Sequence, residues 1–119
     1  EMADSLTYNN IIIGKSIPIK YRVGTVTGEN FVAGTVLGKI TASGKLKKVD
    51  STASDGSQKI YGILLEDIDA STADKIASIG LTGEYNKQAM VFGGTDTTAT
   101  HEADARLLQI YFEDTIRNY

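Results

Sequence analysis

Apolar and polar residues alternate most regularly between residues 17 and 23. The apolar members share one side of an extended chain and the remaining residues take the other: Ile17, Ile19, Tyr21 and Val23 against Pro18, Lys20 and Arg22. A period of two predicts a half-buried β-strand. Because Pro18 has no N–H to donate to a neighbouring strand, this strand is predicted to lie at a sheet edge or to begin at that residue.

Shorter apolar runs between turn signals predict further strands. These runs occupy residues 35–41, 46–49, 60–68, 75–82 and 88–92. The run 60–68 continues without alternation, which predicts burial on both faces of the strand. Gly62 within it indicates a bulge or the close approach of another backbone. The glycine-containing polar stretch 24–30 is predicted to be a loop.

Turn residues separate these strands. Gly44 can take the left-handed conformation that a short hairpin loop requires, and the dipeptide Asp55-Gly56 is a strong turn signal in a polar loop. Near the C terminus, Thr100 is placed to cap a short helix over residues 101–108. The branched and aromatic residues 110–112 predict a final strand.

Together these elements predict a mainly β (β-rich α+β) fold. We expect a compact barrel-like or sandwich-like domain of short strands with one or two short helices, spanning residues 17–119. Since the chain has 119 residues and no internal repeat or linker composition, a single domain is the simplest organisation.

The first 16 residues lack any sustained period and are predicted to form a flexible, extended N-terminal arm. Its apolar residues are Leu6, Tyr8, Ile11, Ile12 and Ile13. Three consecutive isoleucines cannot all face inward from one strand, because side chains alternate across its two faces. Two interpretations remain open: a short strand buried on both sides, or an arm that is covered only when a partner binds.

The amino-acid composition limits the classes of function that are open to this chain. The formal net charge is −3 and the sequence pI is about 5.0, whereas phosphate-driven nucleic-acid binding needs clustered Lys and Arg. With no Cys, the chain has no disulfide, thiol nucleophile or thiolate metal site. No apolar run approaches the length of a membrane span, and no signal peptide is expected. Glu1 ahead of Met2 is expected to be a cloning remnant.

Candidate chemistry is sparse. The single His, His101, rules out multi-histidine metal sites and is predicted to be a solvated residue of the helix's first turn. Asp50 and Asp55 flank a loop that fails the calcium-binding ligand pattern, so a polar turn is predicted there. The acidic residues following the buried strand are predicted to form its solvated exit: Glu66, Asp67 and Asp69. We expect no enzyme activity, no cofactor and no metal.

The order of segments is more informative than any single residue. An Ala-Gly-Thr-Val-Leu-Gly segment at residues 33–38 precedes Ser43-Gly44-Lys45, then the Asp55-Gly56 turn, then a Gly-Ile-Leu-Leu-Glu-Asp-Ile-Asp strand at 62–69. This order, over residues 31–92, resembles the lambda-type bacteriophage head decoration protein family. The residues that carry the resemblance, in structural positions, are Gly34, Gly44, Asp55, Gly56, Gly62, Ile63 and Leu64.

The resemblance implies a capsid-stabilising protein. Members form trimers on the outside of an expanded phage head and tie major capsid protein subunits together against the pressure of packaged DNA. In that family the N-terminal arm orders on binding and adds a strand to capsid protein, so the resemblance implies a capsid contact for the apolar arm residues of this chain. The implied location is the outer surface of the virion head, after synthesis in the host cytoplasm.

The residues alone leave a second class open. A small β-barrel can also be a binding module for nucleic acid or carbohydrate. The acidic pI and the absence of Trp count against that alternative. The one local basic cluster, Lys45, Lys47 and Lys48, lacks the interleaved aromatic residues of a nucleic-acid stacking platform.

Overall fold

A closed five-stranded β-barrel forms the centre of the fold. The computed structural model of the protein describes Ile12 and residues 18–113. Around the barrel the strands follow the order β1-β4-β3-β5-β7. The barrel strands are β1 (Tyr21–Val26), β3 (Val36–Lys39), β4 (Leu46–Lys48), β5 (Ile60–Leu64) and β7 (Lys75–Gly80). All neighbours are antiparallel except β1 and β4, which pair in parallel at Val26 and Leu46.

Two small sheets and a helix complete the described structure. Strand β2 (Asn30–Phe31) pairs antiparallel with β6 (Ile68–Asp69). Strand β8 (Gly83–Asn86) pairs in parallel with β9 (Ile110–Glu113), and the helix α1 (Thr98–Leu107) connects towards β9. Within residues 18–113 no helix has the length and apolar content needed to cross a membrane.

Two clusters of buried side chains form the core. One lies inside the barrel and beneath β2 and β6, and its members include Val26, Phe31, Leu37, Leu46, Leu64 and Ile79. The other lies between the barrel, α1 and the β8–β9 sheet, and includes Val36, Ile63, Leu65, Tyr85, Ile110 and Phe112. Strand β5 alternates between the two clusters, with Ile63 in one and Leu64 in the other. The predicted burial of β5 on both faces is therefore confirmed.

The mainly β fold with a closed barrel and one helix confirms the predicted fold class. The strands predicted at 46–49, 75–82 and 110–112 are present with small shifts of their ends. The predicted strand 60–68 is interrupted: β5 ends at Leu64 and β6 begins at Ile68. The helix predicted over residues 101–108 starts instead at Thr98 and ends at Leu107, and its N-cap is Thr97 and not the predicted Thr100. Thr100 lies within the first turn, where its hydroxyl accepts a hydrogen bond from the Thr97 amide (3.0 Å).

The prediction for the first strand was wrong in position and in facing. Strand β1 starts at Tyr21 and includes Gly24–Val26, which were predicted to be loop, and it lies inside the barrel's closed ring, not at an edge. Val26 and Gly24 face the interior, where a Cβ at Gly24 would lie 2.8 Å from Leu46 Cδ1. Because side chains alternate, Tyr21 and Val23 face outward and are 54% and 67% exposed.

The predicted strand at 88–92 is also wrong. Lys87–Ala89 form a 3₁₀ turn, since the Asn86 side chain accepts a hydrogen bond from the Gln88 amide (3.0 Å) and starts the turn. Val91 makes only an isolated bridge to Thr35. The strand in this region is β8, which was not predicted because its sequence is mostly polar.

Candidate functional site

Of the predicted arm contacts, Ile12 alone lies among the described residues. Leu6, Tyr8, Ile11 and Ile13 lie outside them, so their predicted role stays a prediction. Ile12 forms an antiparallel bridge with Tyr85 of β8 and packs, partly buried, against the cluster of core residues around that strand. Ile12 therefore contacts the domain at the edge of β8 that β9 does not occupy.

Tyr85, the residue of β8 that pairs with Ile12, is held in place by burial and by a hydrogen bond. Its side chain is fully buried and its hydroxyl donates a hydrogen bond to the Thr82 carbonyl oxygen (2.7 Å). Burial, together with a smaller effect of Tyr21, raises the pKa of Tyr85 well above its usual range. The hydroxyl consequently stays protonated and keeps donating. Sequence analysis did not single out Tyr85, because polar neighbours on both sides concealed its burial.

The Asp55-Gly56 turn is a rigid structural corner. The Asp55 carboxylate accepts hydrogen bonds from the Ser57 hydroxyl (2.6 Å) and amide (3.0 Å), and its other oxygen lies 3.1 Å from Lys47 Nζ. These contacts, the Ser57 hydroxyl first, hold the pKa of Asp55 well below its usual value. Gly56 has φ +109° and lies so close to the Thr41 backbone that a Cβ would be 2.8 Å from its nitrogen. The predicted turn is confirmed.

The other residues that carry the resemblance also occupy structural positions. Gly34 and Gly44 have positive φ and donate to the carbonyls of Leu64 and Ile40, each at 2.8 Å. A Cβ at Gly62 would lie 2.9 Å from the Gly80 carbonyl oxygen, which confirms the predicted close approach of another backbone. Ile63 and Leu64 are fully buried. The side chains of Ile63 and Leu64 are therefore not available to a partner.

His101 is buried, contrary to the prediction that it would be solvated. Its Nε2 lies 2.7 Å from Asp96 Oδ2, and its ring stacks on Phe92 with centroids 5.6 Å apart. Asp96 also accepts hydrogen bonds from the Ser51 hydroxyl and amide, both at 2.6 Å. Burial acts to raise the pKa of Asp96, but the hydrogen bonds from Ser51 and His101 outweigh it, so the pKa lies below its usual value.

This Ser-Asp-His cluster does not have the geometry of a catalytic triad. In a triad the His lies between Ser and Asp and takes the Ser proton. Here Asp96 lies in the middle, and the Ser51 hydroxyl donates to its carboxylate. The cluster instead fastens the loop before the helix to the loop after β4, across 45 residues of sequence. Distant partners of this kind leave no local signal in the sequence.

The three clustered lysines that were considered as nucleic-acid-binding residues form ion pairs with carboxylates. Each Lys of the basic cluster lies within 3.3 Å of a carboxylate oxygen, in the pairs Lys45–Asp74, Lys47–Asp55 and Lys48–Glu29. Opposed charges reduce the positive potential that nucleic-acid phosphates require. Between residues 18 and 113 no group of three or more His, Asp or Glu side chains is arranged to hold a metal ion.

Backbone amides bind the acidic residues after β5. Glu66 accepts a hydrogen bond from the Ser78 amide and Asp67 one from the Ala33 amide, each at 2.8 Å. The predicted solvated exit is thus only partly right, since these carboxylates also fasten β5 to its neighbours. Asp50 accepts hydrogen bonds from Thr52 in a polar turn, as predicted.

The described residues therefore form a scaffold that Ile12 contacts at β8, and their polar clusters are structural. The profile of the bacteriophage lambda head decoration protein D family matches residues 7–110. The chain belongs to that family. The match includes Tyr8, Ile11, Ile12 and Ile13 of the predicted arm, as well as the segments from which the resemblance was noticed. A search of curated proteins finds no match.

Membership confirms the predicted family and gives the role in general terms. This head decoration family member is a structural protein of the phage capsid, located in the virion, and its family is not a class of enzymes. A decoration protein associates with the capsid. The β-rich barrel, the glycine corners and the buried Ile63–Leu64 pair are its scaffold.

Proposed function

We propose that this protein binds the outside of the expanded phage head as a homotrimer and ties neighbouring major capsid protein subunits together against the pressure of packaged DNA. The family match over residues 7–110 carries the proposal. In the same proposal, residues 1–16 form the capsid-binding arm and residues 17–119 the decoration domain. Synthesis in the host cytoplasm precedes addition to the head.

The arm is proposed to act by strand addition, with Leu6, Tyr8, Ile11 and Ile13 contacting major capsid protein. Support comes from the Ile12–Tyr85 bridge, which fixes the base of the arm to the folded domain. A fixed base restricts the volume that the preceding residues search, so less entropy is lost when they pair with a partner strand. Ile12 is only partly buried in this contact, and it remains a predicted capsid contact with the other four apolar residues of the arm.

Co-sedimentation tests the proposal. Purified protein is mixed with expanded and with unexpanded capsids and pelleted, and we expect recovery with expanded capsids alone. Deletion of residues 2–16 is expected to leave a folded, self-associating domain that stays in the supernatant. Equal recovery with both particle types, or with neither, contradicts the proposed function, and undiminished pelleting of the deletion variant contradicts the role of the arm.

The alternative of a nucleic-acid-binding or carbohydrate-binding module has no specific support among the described residues. A salt-sensitive mobility shift with single-stranded DNA is the observation that would favour it. We expect none, because the three clustered lysines are paired with carboxylates.

A further inference from the structure

The backbone of β8 determines how Ile12 can pair with it. The Gly83 amide donates a hydrogen bond to the Gln109 carbonyl oxygen (2.9 Å), so the backbone polar groups of Gly83 point towards β9. Backbone groups alternate in direction along a strand, so those of Tyr85 point towards β9 as well. Tyr85 therefore exchanges no backbone hydrogen bonds with Ile12, although the two residues lie directly opposite each other.

The Ile12–Tyr85 pair is consequently of the close, non-hydrogen-bonded kind that occurs between antiparallel strands. In such a pair the two side chains lie together on one face, and the N–H and C=O groups of both residues point away from the opposite strand. The side chain of Ile12 accordingly packs against the buried cluster that contains Tyr85. The backbone N–H and C=O of Ile12 point away from β8.

The chain is attached a second time beside β8, after the arm. The Thr82 hydroxyl donates a hydrogen bond to the Pro18 carbonyl oxygen (2.6 Å) and accepts one from the Lys20 amide (3.0 Å). Thr82 directly precedes Gly83, the first residue of β8. Two attachments at the same strand indicate that this edge of β8 is a docking site for a strand. Its occupant is the chain's own segment around Ile12.

We propose that the segment around Ile12 is a bridging strand, paired with β8 of its own domain along one edge and with a strand of major capsid protein along the other. Ile12 provides its side chain to the domain and its backbone N–H and C=O to the capsid strand. Addition of a strand to an available edge is a recognised mode of protein association. The inference rests on the proposed function and states how the arm and the domain act together.

The competing arrangement is an arm that leaves β8 before it binds capsid. The two arrangements predict opposite effects of weakening the contact at β8. A bridging strand loses its support, so capsid binding weakens. An arm that has to be released is released more easily, so capsid binding stays equal or becomes tighter.

Asn86→Pro weakens the contact without changing the arm. Asn86 follows Tyr85, so its amide points towards the edge at which Ile12 lies, and its φ of −70° suits proline. Asn86→Ala is the matched control, because it also removes the side chain that caps the 3₁₀ turn but keeps the amide. Ile12→Ala, with Leu6→Ala as its control, weakens the same contact from the side of the arm. Thermal unfolding shows whether each variant is folded.

Trypsin measures docking in the free protein. Lys15 is the first Lys or Arg of the chain and lies close to Ile12 in the sequence, and cleavage follows the population of the undocked segment when docking is rapid. Asn86→Pro and Ile12→Ala are each expected to be cleaved after Lys15 about fivefold faster than wild type. Asn86→Ala and Leu6→Ala should stay within about twofold. Equal rates for all four variants and wild type overturn the docking on β8.

Pelleting with expanded capsids measures bridging. Asn86→Pro is expected to bind capsid about fivefold more weakly than Asn86→Ala. Binding of Asn86→Pro that is equal to or tighter than that of Asn86→Ala overturns the bridging strand and leaves the proposed function standing. A wild type that never pellets overturns the proposed function and the bridging role with it, whereas the trypsin rates still decide whether the segment docks on β8.

Discussion

Replacing Gly56 by Ala tests how firmly the Asp55-Gly56 corner is built, and Gly28 provides a matched control. The two glycines have nearly the same backbone conformation, with φ values of +109° and +102°. An added Cβ at Gly28 meets no atom within 4 Å, whereas at Gly56 it would meet Thr41 Oγ1 and lie 2.7 Å from the Lys39 carbonyl oxygen. Comparing the two substitutions separates the free-energy cost of backbone strain from the cost of steric overlap.

The expected magnitudes follow from those contacts. Left-handed geometry costs an L-residue about 1–2 kcal/mol, and both variants carry that cost. Gly56→Ala adds an overlap with backbone atoms that cannot rotate away, worth about 1–3 kcal/mol more. The change in unfolded-chain entropy is the same for both substitutions and cancels in the comparison. We expect Gly28→Ala to lose about 1–2 kcal/mol and Gly56→Ala about 2–5 kcal/mol.

Urea unfolding at one fixed protein concentration measures both losses, because the proposed self-association would make stability depend on concentration. The m-value must stay constant for the comparison to hold. Equal destabilisation by the two substitutions would show that the corner moves to admit the Cβ, and the argument for a rigid turn would then fail. A Gly28→Ala loss larger than that of Gly56→Ala refutes the steric reasoning outright.

Three further predictions concern the buried network, acid stability and the core. Asp96→Asn removes the charge that His101 and Ser51 contact, and urea unfolding should show a loss of about 1–3 kcal/mol. The control Asp104→Asn, at an exposed position of the helix that follows, should stay within about 0.5 kcal/mol of wild type. The folded-state pKa values of Asp55 and Asp96 lie below the usual 3.8, so their stabilisation is present above that pH and is lost as the pH falls through the folded-state values. Thermal melts from pH 6 to pH 2 should show this loss, and Asp55→Asn should flatten the curve; an unchanged slope contradicts it. Leu64→Ala should cost about 2–5 kcal/mol because Leu64 is fully buried, and a loss within the error of wild type would contradict the assigned core.

The sequence predicted those features that depend on local chemistry. The Asp55-Gly56 turn, the close approach at Gly62 and the unbroken apolar run of β5 all follow from neighbouring residues, and the structure confirms each. The family followed from the order of these segments. Turn geometry and strand burial are therefore recoverable from one sequence where the deciding residues are adjacent.

The failures occur where distant residues decide. Alternation showed that Tyr21 and Val23 share a face, but it could not show that the barrel interior is filled from the other face by Gly24 and Val26. A strand face that is apolar because a partner covers it and one that is apolar because it packs in the core produce the same alternating pattern in the sequence. His101 was wrongly predicted to be solvated for a related reason. Its burial depends on Asp96 and on the stacked ring of Phe92, and both residues precede the helix.

The closure of the barrel also governs the order in which the chain can fold during synthesis. Strand β1 is made early, but its partner β7 lies at Lys75–Gly80, and all six residues of β1 pair with it. Until β7 has left the ribosome, β1 has an unpaired edge and the barrel interior is open to water. Such long-range pairing slows folding and prolongs exposure to aggregation. The nascent chain is therefore most vulnerable before its last third emerges.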